Sequence, residues 1–311
     1  MIAQADRRGF TLVELLVVTG LFVVFFGLVV NGLRPNPNSQ VRQLSQAISS
    51  AILATQTRSL GNDAGAALIL DVTSGNAYSN AVFNAEVPPF AEGTITGIPP
   101  SSLNLTFATG TLSPANADVS DLATGYKIRF SGTSPFIAPT PWMNFSSAGT
   151  ATGTVSFRTS ANQTRDNTVW PIATSGTLQF AVARLPVKSG PAADVTKFAA
   201  VDLRYSGIGN TTWGVSGTIP VAITFDRNGG LDSLMYLGSP ASWVTPTSPL
   251  YLLIASLPDI QSDQSLQSQT SRWLAINPST GRVTVAANVV SGTDVNAARA
   301  NARQGVTGGV K

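Results

Sequence analysis

The chain of 311 residues contains no cysteine and no histidine, and its only glutamates are Glu14, Glu86 and Glu92. The absence of both residue types excludes disulfides, thiol nucleophiles, Ser-His-Asp triads, ordinary zinc sites and histidine acid–base chemistry. Catalysis by paired carboxylates would need aspartates, and no arrangement of them in the sequence points to it. We therefore predict that the protein is not an enzyme and uses no cofactor.

Charge is also scarce. Asp, Glu, Lys and Arg make up 11% of the residues, and the formal net charge is +3, whereas a typical chain has about 25% charged residues. The surface must therefore consist mainly of Ser, Thr, Asn, Gln and Gly, which suits an extracytoplasmic protein. No basic footprint for nucleic acid is present, so no nucleic-acid partner is expected.

The feature that stands out is an apolar run near the N-terminus, Phe10 to Val30, which follows Arg7, Arg8 and Gly9. As a helix its 21 residues would measure about 31 Å, the length that spans a bilayer. Glu14 lies near the start of this run. A carboxylate in a membrane segment costs roughly 2.5–3.5 kcal/mol even on lenient scales, so we expect Glu14 to have a function and a partner.

A secretory signal peptide is the simpler interpretation of a basic start followed by an apolar run, and it would release a soluble exported domain. Three details oppose it. The run is longer than a signal-peptide core, no small-residue cleavage site closes it, and a signal peptide has no need of Glu14.

Residues 7–18, RRGFTLVELLVV, resemble the class III leader and N-terminal helix of type IV prepilins and type II secretion pseudopilins. The resemblance covers about 25 residues. It implies cleavage between Gly9 and Phe10 by a prepilin peptidase, N-methylation of Phe10, and assembly with other pilins or pseudopilins through the N-terminal helix. Glu14 would then meet the Phe10 ammonium of a neighbouring subunit and set the register of the bundle. The alternative is that Glu14 only interacts favourably with the helix dipole at the N-terminus, an interaction that stabilises a helix by about 0.3–1 kcal/mol.

Arg7 and Arg8 predict an orientation with the N-terminus inside and the chain beyond the helix outside. The resemblance then implies a single pass through the inner (cytoplasmic) membrane, with the head in the periplasm or, after assembly, at the cell surface. Gly20 and Gly27 fall on nearly one face of the helix, where they either permit close helix approach or simply reflect the frequency of Gly in membrane helices.

The fold class predicted is α+β, with a long N-terminal transmembrane helix and a large β-rich head of antiparallel strands. The leader is 1–9, the pilin-like helix 10–60, the head 61–290 and a polar tail 291–311. Within the helix, 10–30 is the membrane part and 38–60 an amphipathic part, separated by Pro35 and Pro37. In the amphipathic part, apolar residues recur at helical spacing at Val41, Leu44, Ile48, Ala51 and Ile52.

Beyond Gly61, short β-like runs replace helical periodicity. The predicted strands are Ala66–Val72, Leu103–Phe107, Tyr126–Phe130, Thr154–Arg158, Thr177–Arg184, Phe198–Tyr205, Ile219–Phe225, Leu231–Leu237, Leu250–Ser256, Arg272–Ile276 and Arg282–Ala286. Residues 227–230, RNGG, and 277–281, NPSTG, predict hairpin turns between the strands on either side of them.

Few other residues suggest a site. Asp226, Asn228 and Asp232 occupy three positions of a calcium-loop pattern, but the acid expected at its twelfth position is missing, and a hairpin turn explains the same residues. Asp259 and Asp263 are a weaker candidate of the same kind. In the tail, a short helix is expected over Asn296–Arg303, with Arg299, Arg303 and Lys311 solvated.

The remaining signals concern the head. Its tryptophans are scattered, which favours packing roles for Trp142, Trp170, Trp213, Trp243 and Trp273. A stripe that binds DNA would need clustered bases and aromatics, and the nearest approach is Arg158 and Arg165.

The resemblance therefore implies a structural subunit, a minor pilin or an H-type pseudopilin, of a type IV pilus or a type II secretion system. A head of roughly 250 residues would crowd its lateral neighbours and favours a low-copy tip or initiating subunit. The alternative is a membrane-tethered module for adhesion or DNA uptake that binds a surface, carbohydrate or DNA. An exposed aromatic or basic groove on the head would favour that alternative.

Overall fold

A computed structural model describes residues 12–32, 36–72, 77–96, 104–106, 112–113, 127–132, 142–144, 154–156, 177–193, 198–213, 219–238 and 242–307. Gly9, Phe10, Arg158, Arg165 and Trp170 lie outside the described residues, as does Lys311.

Two helices begin the described chain, α1 (Leu12–Gly32) and α2 (Pro37–Ser59). The start of α2 follows from its sequence, because Pro37 occupies the first turn and the Asn36 side chain accepts a hydrogen bond from the Asn38 amide at 3.0 Å. The second helix therefore begins at Pro37, one residue before the predicted start, and Pro37 belongs to its first turn and not to the interruption. Pro35 lies outside the described residues.

The predicted apolar stripe of α2 is confirmed as its packing face. Val41, Leu44, Ile48 and Ile52 are at most 1% exposed and pack against the largest sheet. A polar residue on the same face finds its hydrogen-bond partner within the helix, since the buried Ser45 hydroxyl donates to the Val41 carbonyl at 2.7 Å. Burial of this stripe fixes α2 to the head.

That sheet has ten strands, and every pairing in it is antiparallel. Its main order is β14-β13-β12-β1-β2-β11-β15-β16-β17, with β10 also paired to β2. The strands are β1 (Ala66–Val72), β2 (Tyr78–Glu86), β10 (Val187–Lys188), β11 (Ala199–Ile208), β12 (Val221–Phe225), β13 (Leu231–Tyr236), β14 (Ser242–Val244), β15 (Leu250–Ser256), β16 (Arg272–Ile276) and β17 (Val283–Ala287).

Between β2 and β10 the chain builds a second antiparallel sheet, with the order β5-β3-β9-β6-β7. Its strands are β3 (Ala91–Thr96), β5 (Leu112–Ser113), β6 (Lys127–Gly132), β7 (Met143–Asn144) and β9 (Thr177–Val182), and a separate pair joins β4 (Asn104–Thr106) to β8 (Thr154–Ser156). After the second sheet the chain rejoins the first through β10, which pairs with the end of β2, with Val187 opposite Glu86. The second sheet is therefore an insertion in the first.

Strand alternation divides the core between the two faces of the ten-stranded sheet. Leu252 and Leu274 belong to the cluster beneath α2, whereas Tyr251 and Trp273 belong to a cluster on the opposite face. There they meet helices α4 (Val295–Ala298) and α5 (Ala300–Thr307). A short helix, α3 (Leu257–Gln261), follows β15.

All the predicted strands overlap observed ones, but β2, β3, β5, β7, β10 and β14 were not predicted. The sequence of β2, YSNAVFNAE, contains two Asn, a residue type depleted in strands. β2 nevertheless runs antiparallel between β1 and β11. Pairing on both sides therefore outweighs its weak propensity.

The prediction of solvated bases in the tail is wrong for Arg299, which is 0% exposed. Its guanidinium donates to the carbonyls of Tyr205, Gly209 and Thr211 at 2.6–3.2 Å and lies about 5 Å from the ring centroids of Tyr251 and Trp273. Burial lowers the Arg299 pKa to about 10, so the group is still cationic at neutral pH. Carbonyl and aromatic partners, which sequence spacing does not reveal, account for the burial.

Candidate functional site

The large apolar side chains of α1 remain exposed over residues 12–26. Leu12, Val13, Leu15, Leu16, Val17, Val18, Leu21, Phe22, Val23, Val24, Phe25 and Phe26 are between 43% and 80% exposed. They point in all directions around the helix, so no face of this part of α1 packs on the described head. Within the part of the chain that the structure describes, no helix meets both the length and the apolarity needed to cross a membrane.

Glu14 and Thr19 are polar residues in the first half of α1. Glu14 is exposed in the first turn, where a carboxylate is favourable beside the free amides of a helix N-terminus. The Thr19 hydroxyl is satisfied within the helix, since it donates to the Leu15 carbonyl at 2.8 Å. Gly20 has nothing within 4 Å of the position that a Cβ would occupy, so its surface is open to a close neighbour.

The calcium candidates form a turn, as the alternative interpretation predicted. One carboxylate oxygen of Asp226, Oδ1, accepts hydrogen bonds from the amides of Asn228 at 2.8 Å and Gly230 at 2.9 Å. Gly229 has a φ of +82°, which favours glycine. The strands on both sides form the predicted hairpin, with Phe225 opposite Leu231.

Asp232 has a cationic partner. Its Oδ2 accepts from the Lys127 ammonium at 2.5 Å and from the Ser233 hydroxyl at 3.0 Å. Lys127 is 4% exposed and comes from β6, so this ion pair joins the second sheet to the first. Among the described residues, no group of three or more acidic side chains is arranged to hold a metal ion.

The weaker pair, Asp259 and Asp263, lies at and after α3. The carboxylate of Asp263 accepts from the Tyr205 hydroxyl at 2.7 Å and pairs with Arg204 at 2.9 Å. Desolvation, followed by this hydrogen bond, raises the Tyr205 pKa to about 12. The Asp263 carboxylate therefore helps to fasten the α3 turn to β11.

The two predicted hairpin turns meet at the end of α2. The Gln56 side-chain amide donates to the Gly229 carbonyl at 3.1 Å and to the Gly281 carbonyl at 2.6 Å. Gly281 has a φ of +64°, and a Cβ there would lie 1.9 Å from Gln56 Nε2. The position of α2 on the head is therefore fixed by its apolar stripe and by this polar contact.

A cavity of about 490 Å³ lies beside the Asp226 turn. The first sheet contributes Asp232 and its hairpin turn contributes Asp226. The second sheet contributes Glu92, Lys127 and Arg129, and Trp142 lies beside them. A neighbouring cavity of about 290 Å³ shares Glu92 and Arg129. The sequence placed Asp226, Asn228 and Asp232 together but gave no prediction of this cleft.

The cleft combines bases with aromatic rings. The guanidinium carbon of Arg129 lies 4.7 Å from the ring centroid of Trp142 and 5.4 Å from that of Phe90. The two rings are 5.3 Å apart and tilted by 57°. One signal was available in the sequence: Lys127 and Arg129 are two apart in a predicted strand and share a face. Trp142 and Phe90 are too distant along the chain for spacing to connect them to it.

Comparison with family models gives a match at residues 4–30 to the prokaryotic N-terminal methylation motif. Comparison with curated proteins and with solved structures gives no match. The matched segment includes Gly9, Phe10 and Glu14 and most of α1, while the head is outside it. Pilin-type proteins with this motif are structural rather than enzymatic. The chain thus carries the class III leader of the type IV pilin and pseudopilin family, which confirms the resemblance seen in residues 7–18.

Proposed function

We propose that the chain is a low-copy structural subunit, a minor pilin or a pseudopilin, of a type IV pilus or a type II secretion system. The observation that carries the proposal is α1, whose exposed apolar surface contrasts with the packed head. Burying a large apolar side chain is worth about 1.5–3 kcal/mol. A helix with twelve such side chains exposed therefore requires a covering that the described head does not supply.

The covering changes during the life of the subunit. Before assembly, residues 10–30 lie in the inner membrane with Arg7 and Arg8 on the cytoplasmic side and the head in the periplasm. Prepilin peptidase cleaves between Gly9 and Phe10, and Phe10 is methylated. During assembly the helix leaves the bilayer and packs among the α1 helices of other pilins or pseudopilins, where Gly20 allows close approach.

Glu14 sets the register of this packing. Cleavage creates an ammonium group on Phe10, and the staggered neighbour presents its Glu14 to that cation. Attraction is strong where water is excluded, and a misaligned subunit would leave a carboxylate buried without its cation. Support comes from the position of Glu14 in the first turn of an apolar helix.

Photocrosslinking in cells tests this proposal. A photoreactive phenylalanine analogue replaces Phe22 in α1 or, as the control, Phe198 on the head; the two side chains are 57% and 53% exposed. We expect Phe22 to capture processed subunits that carry the methylation motif, and Glu14→Ala to abolish that capture. Capture of lipid alone at Phe22 under conditions of active assembly would contradict the proposal.

One observation favours a second candidate, the membrane-tethered binding module. The cleft beside Asp226 presents aromatic and basic groups on the head, which is the feature expected of that alternative. In this case α1 delivers the head to the tip of a filament, and the head binds a ligand there.

A further inference from the structure

The cleft lined by Asp226, Asp232, Arg129 and Trp142 has the size of a ligand site. Its larger part measures about 490 Å³, and pockets for small ligands range from about 300 to 1,000 Å³. The adjoining cavity of about 290 Å³ continues from Glu92 and Arg129 along the second sheet. Two cavities that share lining residues suit a ligand made of repeated units.

The charges of the larger cavity are mixed. Among the described residues that line it are four carboxylates and three cationic groups: Asp63, Glu92, Asp226, Asp232, Lys127, Arg129 and Arg227. Four carboxylates repel a polyphosphate chain, which opposes nucleic acid. Seven ionisable groups also oppose an apolar ligand, because each would lose its hydration. Lys127 and Arg129 oppose a bare divalent cation.

Two of the carboxylates are fixed and keep one oxygen available. Asp226 uses Oδ1 for the two turn amides, and Asp232 uses Oδ2 for Lys127, Thr224 and Ser233. Among the described residues, neither Asp226 Oδ2 nor Asp232 Oδ1 receives a hydrogen bond. Acceptors that are already held in place lose little freedom when they bind a ligand.

The aromatic wall is fixed in the same way. Arg129 lies against Trp142 and Phe90, so its planar fork of donors is oriented before a ligand arrives. Trp142 and Phe90 are half-buried and give the cleft apolar surface beside these donors.

We propose that this cleft binds a neutral oligosaccharide. A sugar hydroxyl both donates and accepts hydrogen bonds, as Ser and Thr hydroxyls do, and therefore uses the carboxylates and the guanidinium together. The C–H faces of sugar rings are apolar and pack against the aromatic wall. The ligand carries no net charge, in keeping with a cleft whose cationic and anionic groups nearly balance.

Titration of the full-length chain in lipid nanodiscs, which avoids sugar-based detergents, tests this inference. The probes are hexasaccharides of glucose, xylose and N-acetylglucosamine. Their binding is measured by calorimetry and by tryptophan fluorescence. We expect at least one probe to bind with a millimolar or lower dissociation constant and to change the fluorescence. Failure of all three probes to bind would overturn the proposal.

Asp226→Asn gives the sharpest variant, because its Oδ1 still accepts the two turn amides and only the available oxygen becomes an amide. Asp294→Asn is the matched control: Asp294 Oδ1 also accepts two amides, from Asn296 and Ala297, and lies outside the lining of the cleft. We expect about tenfold weaker binding, equivalent to 1.4 kcal/mol, for Asp226→Asn alone.

Trp142→Phe, with Trp213→Phe as its control, tests the aromatic wall in the same way. Circular dichroism confirms folding of each variant. Equal affinity for Asp226→Asn and Asp294→Asn, or tight binding of heparin or an oligonucleotide in place of the neutral sugars, would overturn the proposal.

Discussion

The two N-terminal helices have nearly the same length, 21 residues in α1 and 23 in α2, and they follow each other in the chain. Their environments are opposite. Val41, Leu44, Ile48 and Ile52 form one stripe of α2 and are buried on the sheet, whereas the large apolar residues of α1 over residues 12–26 cover the whole circumference and are exposed. The sequence of α2 is therefore matched to the head, whereas the exposed part of α1 has no matching surface on the described head.

Because the two helices differ in burial, substitutions in them should affect different properties of the protein. Mutations in α2 should act on the folding of the head, and mutations in or before α1 on processing and assembly. Three substitutions test this division, and a fourth tests the contact that holds α2 on the head. They follow from the largest expected effect to the smallest.

Replacement of Gly9 by arginine should abolish processing. The resemblance places Gly9 immediately before the cleaved bond, and a long charged side chain there obstructs the peptidase. Gly9→Ala is the control and should be processed almost as well as the native chain. The measurement is the ratio of precursor to mature chain on a gel from cells that contain the peptidase. Efficient processing of Gly9→Arg would count against the prepilin assignment.

Glu14→Ala should leave membrane insertion and cleavage intact but prevent incorporation into filaments, because the neighbour's Phe10 ammonium loses its partner. Thr19→Ala is the control in the same helix. The Thr19 hydroxyl bonds only to carbonyls of α1, so its removal leaves no other group without a partner. Immunoblots of sheared filaments measure the outcome, and normal incorporation of Glu14→Ala would refute the register role.

Ile48→Ala should reduce the free energy of unfolding of the head by about 2–5 kcal/mol, the usual cost of truncating a buried Ile. Ile48 is 1% exposed, whereas Leu53 in the same helix is 55% exposed. Leu53→Ala should therefore change the stability by less than about 1 kcal/mol, and so should Phe22→Ala in α1. Urea titration followed by tryptophan fluorescence gives these values. A similar loss in all three variants would break the comparison between the helices.

Gly281→Ala should destabilise the contact between α2 and the hairpins. Alanine at a φ of +64° costs about 1–3 kcal/mol, and its Cβ would clash with the Gln56 amide and the Gly229 carbonyl. Gly61→Ala isolates the backbone contribution, since Gly61 has a φ of +78° with nothing within 4 Å. Thermal unfolding should show a larger fall in Tm for Gly281→Ala. Equal shifts would mean that the clash is relieved at no cost.

The features that sequence could predict are those set by local chemistry. The stripe of α2 repeats at helical spacing, Pro37 indicates the helix boundary to within one residue, and Gly229 and Gly281 mark turns that require a positive φ. Each of these depends on residues close together in the chain, and each is observed.

The remaining features depend on contacts between distant residues. β2 has a weak strand sequence and gains its pairing from β1 and β11. Arg299 is buried because carbonyls near residue 205 and two aromatic rings surround it. The cleft brings together Glu92, Arg129, Trp142 and Asp226 from both sheets. No periodicity or motif connects such residues, so the sequence alone could not predict these sites.

The most direct measurement is the intact mass of the mature chain purified from cells that contain a prepilin peptidase. The expected result is a chain that begins at Phe10 and carries one added methyl group on its N-terminal amine. An unprocessed chain that still begins at Met1, or a chain that begins beyond Val30 after signal-peptidase cleavage, would contradict the assignment of α1 as an assembly helix.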